Sequence, residues 1–189
     1  GSFGGGGSGS SGAGASIGLA GTELSKSTTT AKTSNQISGT GQYYGDGVGI
    51  QLDPASSDYF IITHVEVETG SAGLTSVRMQ ANVNLLKGAV MSATGDPAPI
   101  PVFIGLVQEA IAINTVYKMA GGWATMVKGT DYIMATCCGN ANNSILGTTP
   151  GAGSRGYNQT FGSNFTATAH AVGAVAINWK VYYRKVITV

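Results

Sequence analysis

His64, Glu66 and Glu68 occupy alternate positions of the stretch Ile62-Thr63-His64-Val65-Glu66-Val67-Glu68. A strand would carry them in one row on one face, because side chains alternate sides along extended backbone. An imidazole beside two carboxylates could bind a cation or move protons. The same row is the pattern of a solvated strand face with Val65 and Val67 turned inward, and that is the expectation adopted for it. His170 stands between alanines in Thr168-Ala169-His170-Ala171 and reads as a strand residue rather than a ligand.

Asp53, Asp58, Asp96 and Asp131 all neighbour turn residues, where an aspartate commonly bonds nearby backbone. They lack the D-x-D-x-D-G spacing of a calcium loop. The N-terminal glycines make no phosphate cradle, since no strand precedes them and no Gly-Lys-Ser/Thr follows. Cys137 and Cys138 are adjacent, which rules out ordinary disulfide geometry between them. In a strand they point to opposite faces, so one thiol is expected in the core and one near the surface. No histidine lies nearby to complete a zinc site.

Asn142, Asn158 and Asn164 each open an N-x-Ser/Thr triplet, the pattern of a glycosylation acceptor on an outward loop. The surrounding stretch is so rich in Asn, Thr and Ser that chance matches are expected. Tyr43, Tyr44, Tyr157, Tyr182, Tyr183, Trp123 and Trp179 could stack sugars, although aromatics on a β fold more often fill the core or the contacts between subunits. These residues together predict no catalytic, cofactor-binding or metal-binding group, and an enzyme ranks last among the functions considered.

The elements that position these residues follow from composition and periodicity. Only 10% of the chain is charged, against roughly 25% in ordinary soluble domains, so its surface relies on Ser, Thr, Asn, Gln and Gly or is covered by neighbours. Ten basic and nine acidic residues leave a net charge of +1 with no basic stripe, so little direct nucleic-acid binding is expected. No apolar stretch approaches the roughly 18 residues that span a bilayer, and the opening residues lack the basic and apolar regions of a secretory signal. The chain starts at Gly1 rather than Met, so a leader lost before it would leave no trace.

Residues 1–40 read as an extended Gly/Ser/Thr-rich arm with three charged side chains, Glu23, Lys26 and Lys32. Such a segment buries too little apolar surface to offset the entropy of ordering it, so it is expected to take its shape against another copy or another protein. Ile17, Leu19, Leu24 and Ile37 are its sparse apolar points and read as anchors on a neighbour. The run GGGGS at residues 4–8 also has the composition of a flexible tether.

Residues 41–189 are expected to form a single β-sandwich domain. Strands are expected at 48–52 and 59–68. At 77–85, Val77, Met79, Ala81, Val83 and Leu85 alternate with Arg78, Gln80, Asn82 and Asn84, which predicts a half-buried strand with its polar face outward. Residues 95–99 read as a loop and 102–107 as a strand buried on both faces, while 108–119 fits a short helix or a strand. A hairpin is expected from 123–127 and 131–137 around the turn Lys128-Gly129-Thr130, then a long polar loop over 139–162. A closing strand is expected within 164–189. About seven to nine strands with frequent turn signals indicate an all-β, antiparallel, jelly-roll-like β-sandwich with an extended N-terminal arm.

The arm-plus-sandwich layout and the closing run Ala176-Ile177-Asn178-Trp179-Lys180-Val181-Tyr182-Tyr183-Arg184-Lys185-Val186 resemble a small single-jelly-roll viral coat protein. The resemblance spans residues 48–189 in pattern and implies a virion subunit partnered by its own copies and by other structural proteins of the particle. Coat proteins of that kind often carry an Arg/Lys-rich arm, whereas this arm has Lys26 and Lys32 alone. A spike, a decoration protein or a coat independent of its own arm for genome packaging fits that departure. The alternative is an extracellular or cell-surface filament subunit polymerising by donor-strand exchange. A third reading is a carbohydrate-binding module on a flexible tether.

Overall fold

The computed structural model describes residues 16–28, 33–37, 42–45, 48–90, 100–122, 125–148, 155–158 and 176–189. Among them there is no helix, and strands follow one another in this order. The first five are β1 (Ile17–Leu19), β2 (Leu24–Ser27), β3 (Thr33–Ile37), β4 (Gln42–Gly45) and β5 (Ile50–Gln51). Then come β6 (Tyr59–Glu68), β7 (Arg78–Leu85), β8 (Ile100–Gly105), β9 (Gln108–Glu109), β10 (Val116–Gly122) and β11 (Val127–Lys128). The last are β12 (Tyr132–Gly139), β13 (Asn143–Thr148), β14 (Arg155–Asn158), β15 (Ala176–Ile177) and β16 (Trp179–Thr188).

The main sheet runs β1-β16-β6-β10-β8-β7-β12-β4-β14, every pairing antiparallel, and curls over itself as a jelly-roll-like β-sandwich. A smaller sheet orders β15-β13-β3. The curl turns on β10, which pairs β6 through Ala120 and then β8 from Gly121. Gly121 lies opposite Gly105 at this corner. A Cβ on Gly121 would overlap the Ile104 carbonyl oxygen and stand 2.6 Å from Phe103 Cζ, so the backbones approach too closely here for any side chain.

One core lies inside the curl. Phe60, Ile62, Val65 and Val67 meet Met79, Ala81, Val83, Phe103 and Ile133, with Trp179, Val181 and Tyr183 closing from β16. Each Val, Ile, Met or Phe side chain among them, fully buried, contributes about 1.5–3 kcal/mol. Strict alternation cannot put both Phe60 and Val65 inside. The register against β16 slips between Tyr182 and Tyr183, leaving Thr63 as the extra residue of a bulge. The bulge moves the inward set from Phe60 and Ile62 to Val65 and Val67, and the Thr63 hydroxyl donates to the Tyr182 carbonyl at 3.2 Å.

Several sequence expectations are corrected here. The 77–85 strand forms, but its polar face is not outward. Asn82 and Asn84 are 0% exposed and Gln80 only 5%, because that face of β7 is shut off from water together with Met134, Thr136 and Cys138 of β12. Both cysteines are therefore buried, Cys137 on the core face and Cys138 on the other, and neither is near the surface. The turn over 128–131 exists, closed by Lys128 N–H donating to Asp131 Oδ2 at 2.8 Å. Its two arms do not form a hairpin, because β11 pairs β6 while β12 pairs β7.

The expected loop over 139–162 contains β13 and β14, whose pairing rests on main-chain bonds that ask little of side-chain identity. Residues 108–119 hold β9 and the start of β10. Within 102–107, Val102 and Phe103 are buried but Leu106 is exposed. The closing strand is broken at Asn178, whose N–H turns to the Leu146 carbonyl, so β15 joins β13 and β16 joins β6.

The arm differs as well. Residues 16–28 lie along the outer edge of β16 in the same chain, β1 on its far half and β2 on its near half. Main-chain bonds, which need no apolar payload, supply the partner that was expected only from a neighbour. β3 pairs β13 of the same chain, and residues 1–15 lie outside the described residues.

Candidate functional site

The outer face of the β16-β6-β10 layer brings Glu66, Glu68, Lys118 and Lys180 together. Alternation sends His64, Glu66 and Glu68 outward as a row, as the sequence predicts. Register places Lys118 of β10 on one side of Glu66 and Lys180 of β16 on the other, with Tyr182 beside His64. The Tyr182 hydroxyl donates to Glu66 Oε2 at 2.6 Å. That bond, with desolvation behind it, pushes the Tyr182 hydroxyl up to about 12. Lys118 Nζ stands 3.7 Å above the Tyr182 ring, and the His64 ring meets the same ring edge-on at 6.1 Å between centroids.

Residues 16–28 bring the missing acid into this face. Glu23 Oε1 lies 2.9 Å from Lys118 Nζ, and its Oε2 lies 3.6 Å from His64 Nδ1. The hydrogen bond from Lys118 holds the Glu23 carboxyl below its usual range, with the charges of Lys118, His64 and Arg184 adding to it. Two further contacts fix the same segment. Arg184 Nε donates to the Ala20 carbonyl at 2.6 Å. Thr28 Oγ1 donates to Asn178 Oδ1 at 2.6 Å and accepts from Trp179 N–H at 3.1 Å.

Ser27, Thr28, Glu66, Glu68, Asn178 and Lys180 line a groove of about 240 Å³ where this segment meets β6 and β16. The charges oppose one another in pairs across strands, an arrangement suited to clasping the segment in one register. Sequence reasoning identified the row on β6 but not Glu23, Lys118 or Arg184 as its partners. Nothing local in the sequence signals that residue 23 lies beside residue 118.

The remaining expected site residues fall elsewhere. Ile17, Leu19 and Leu24 are 69%, 37% and 39% exposed, so they do not anchor on their own body. Of Ile37 and Asn158 the backbone alone is described, and Asn164, His170, Asp96 and Trp123 lie outside the described residues. Asn142 is half-buried, its carbonyl taken by the N–H groups of Thr75 and Ser76, and Ser144 of the same triplet is fully buried.

Asp53 and Asp131 bond turn N–H groups as expected, at 3.1 and 2.8 Å, whereas Asp58 pairs with Lys185 at 2.9 Å. Trp179 and Tyr183 are core residues, and Lys118 covers one face of Tyr182, so these three offer no open sugar-stacking platform. Among the described residues no group of three or more His, Cys, Asp or Glu converges as a metal site, and no helix is long and apolar enough to cross a membrane. Burial first, then the neighbouring Cys138, pushes the Cys137 thiol far up. No protein-family model, curated protein or solved structure matches the chain.

Proposed function

We propose that this chain is a structural subunit of a symmetric assembly, a capsid or other virion protein, whose N-terminal segment docks on neighbouring subunits. One observation carries the reading: the apolar side chains of that segment face solvent while its backbone pairs with a sheet edge. Ile17 is 69% exposed, and Leu19 and Leu24 are each more than a third exposed. An isolated chain gains nothing from apolar residues held there, whereas a neighbouring subunit would cover them. The low charge of the whole chain suits a surface that is largely contact surface.

Closed shells and open filaments use the same heterologous contact and differ in whether the rotation between neighbours closes. Light scattering of the purified chain, followed by electron microscopy, separates the outcomes. Closed particles support the virion reading, and filaments support the extracellular alternative. A monodisperse monomer at high concentration overturns both.

A further inference from the structure

We infer that the position of residues 16–28 on β16 is an exchangeable one, filled in the assembly by the same segment of a second copy of this chain. The inference rests on the assembly reading above and names the surface and its occupant. Three observations support it.

First, among the described residues none of the core side chains belongs to residues 16–28. Lifting the segment away therefore leaves the interior closed, and what it loses is the edge pairing of β1 and β2 with β16. Second, among the described residues the side chains that grip the segment sit on β6, β10 and β16 or at Asn178 just before β16. The grip is the ammonium of Lys118 and the imidazole of His64 around Glu23, Arg184 Nε on the Ala20 carbonyl, and Asn178 with Trp179 N–H on the Thr28 hydroxyl. A carboxylate and a hydroxyl five residues apart set the register, because a one-residue slip would turn Glu23 away from its cationic socket. None of these contacts depends on which chain supplies the segment, so exchange keeps them all.

Third, docking within one chain leaves both faces of this edge strip in water: Ile17, opposite Thr188 on one face, is 69% exposed, and Val189, set over Gly18 on the other, is 71% exposed. Exchange draws a second body up to this strip and gives those side chains something to cover them.

The test uses the full chain with Ile17→Cys and Thr188→Cys, two residues that face each other across the β1–β16 pair. Directly opposed residues of antiparallel strands lie within the Cα separation a disulfide accepts. Cys137 and Cys138 are fully buried and stay out of the reaction. Material whose mass has been measured by light scattering is oxidised and run without reductant. Exchange predicts a ladder at multiples of 19.1 kDa. Assemblies in which every bridge is internal to one chain overturn the exchange and leave the assembly reading standing. Monomers with internal bridges overturn both.

A second experiment does not depend on disulfide geometry. Glu23→Lys and Lys118→Glu each break the clasp, and each alone raises the concentration needed for assembly up to about fivefold, the range of an exposed ion pair. Mixed in equal amounts, the two variants restore opposite charges between chains but never within one. Recovery of the unmodified threshold in the mixture supports exchange, and a mixture as impaired as its components overturns it.

Discussion

Replacing Asn82 with valine raises the stability of this protein, although a polar residue in mid-strand looks like a poor one to remove. Asn82 is 0% exposed, and neither Nδ2 nor Oδ1 has a hydrogen-bond partner. An unpaired buried polar group costs about 1–3 kcal/mol, and valine adds a strand preference worth up to about 1 kcal/mol. Against this stands a small void from the lost heavy atom, about 1 kcal/mol. The net expectation is a gain of up to about 3 kcal/mol. Two residues along the same face, Asn84 differs in part: its Oδ1 is also unpartnered, but its Nδ2 donates to Thr136 Oγ1 at 3.1 Å and to the Met134 carbonyl at 3.3 Å. Asn84→Val removes that oxygen but loses both bonds, so its stability is expected to fall about 1.5 kcal/mol below that of Asn82→Val. Urea unfolding of the two variants at one protein concentration, read as midpoints with unchanged slope, gives the difference. If Asn82→Val is no more stable than Asn84→Val, the Asn82 amide is satisfied in solution and the reasoning fails.

Ala110 holds a positive φ of 52° at an exposed site, so Ala110→Gly is expected to stabilise by about 0.5–1 kcal/mol in the same assay. Gly121→Ala forces a side chain into the Ile104 backbone at the corner and is expected to cost at least about 2 kcal/mol, seen as a fall in thermal midpoint. The hydroxyl of Tyr182 ionises near 12 rather than its ordinary 10. Its contribution to stability is complete below pH 10 and is lost as pH rises through 12. Ultraviolet titration is expected to show a late tyrosine step that Tyr182→Phe removes and Glu66→Gln moves down. The Glu23 carboxyl is held low, so its contribution is complete above 4.5 and disappears as pH falls through its folded value. Amide-exchange protection in β1 and β2, taken relative to the intrinsic rate at each pH, is expected to fall selectively on that descent.

The sequence made the strands legible wherever one face packs on the core. Val65 and Val67 against His64, Glu66 and Glu68, and Met79, Ala81 and Val83 in β7, are visible as period-two patterns because one side of each strand is apolar. The bulge at Thr63 was not legible, since it is a slip against β16, which lies far along the chain. The burial of Asn82 and Asn84 was hidden for a related reason: polarity reports what a residue prefers, not whether a second layer covers it. β13 and β14 escaped notice because Asn, Gly, Thr and Ser dominate that stretch and hide the short apolar run around Ile145, which is fully buried in the core. Of the clasp, the sequence showed the β6 row and not Glu23 or Lys118, because charge complementarity between distant segments leaves no periodic trace.

β16 sits between β6 and residues 16–28, yet its bonds reach back 116 residues from Tyr182 to Glu66 and 164 from Arg184 to Ala20. At a synthesis rate of about 5–20 residues per second, the edge of β6 waits roughly 5–20 s on the ribosome before its partner exists. Pairing of such distant segments is also slow in its own right. Newly made chains on one message thus hold open, matching edges side by side, and shielding that edge is the task a chaperone would face.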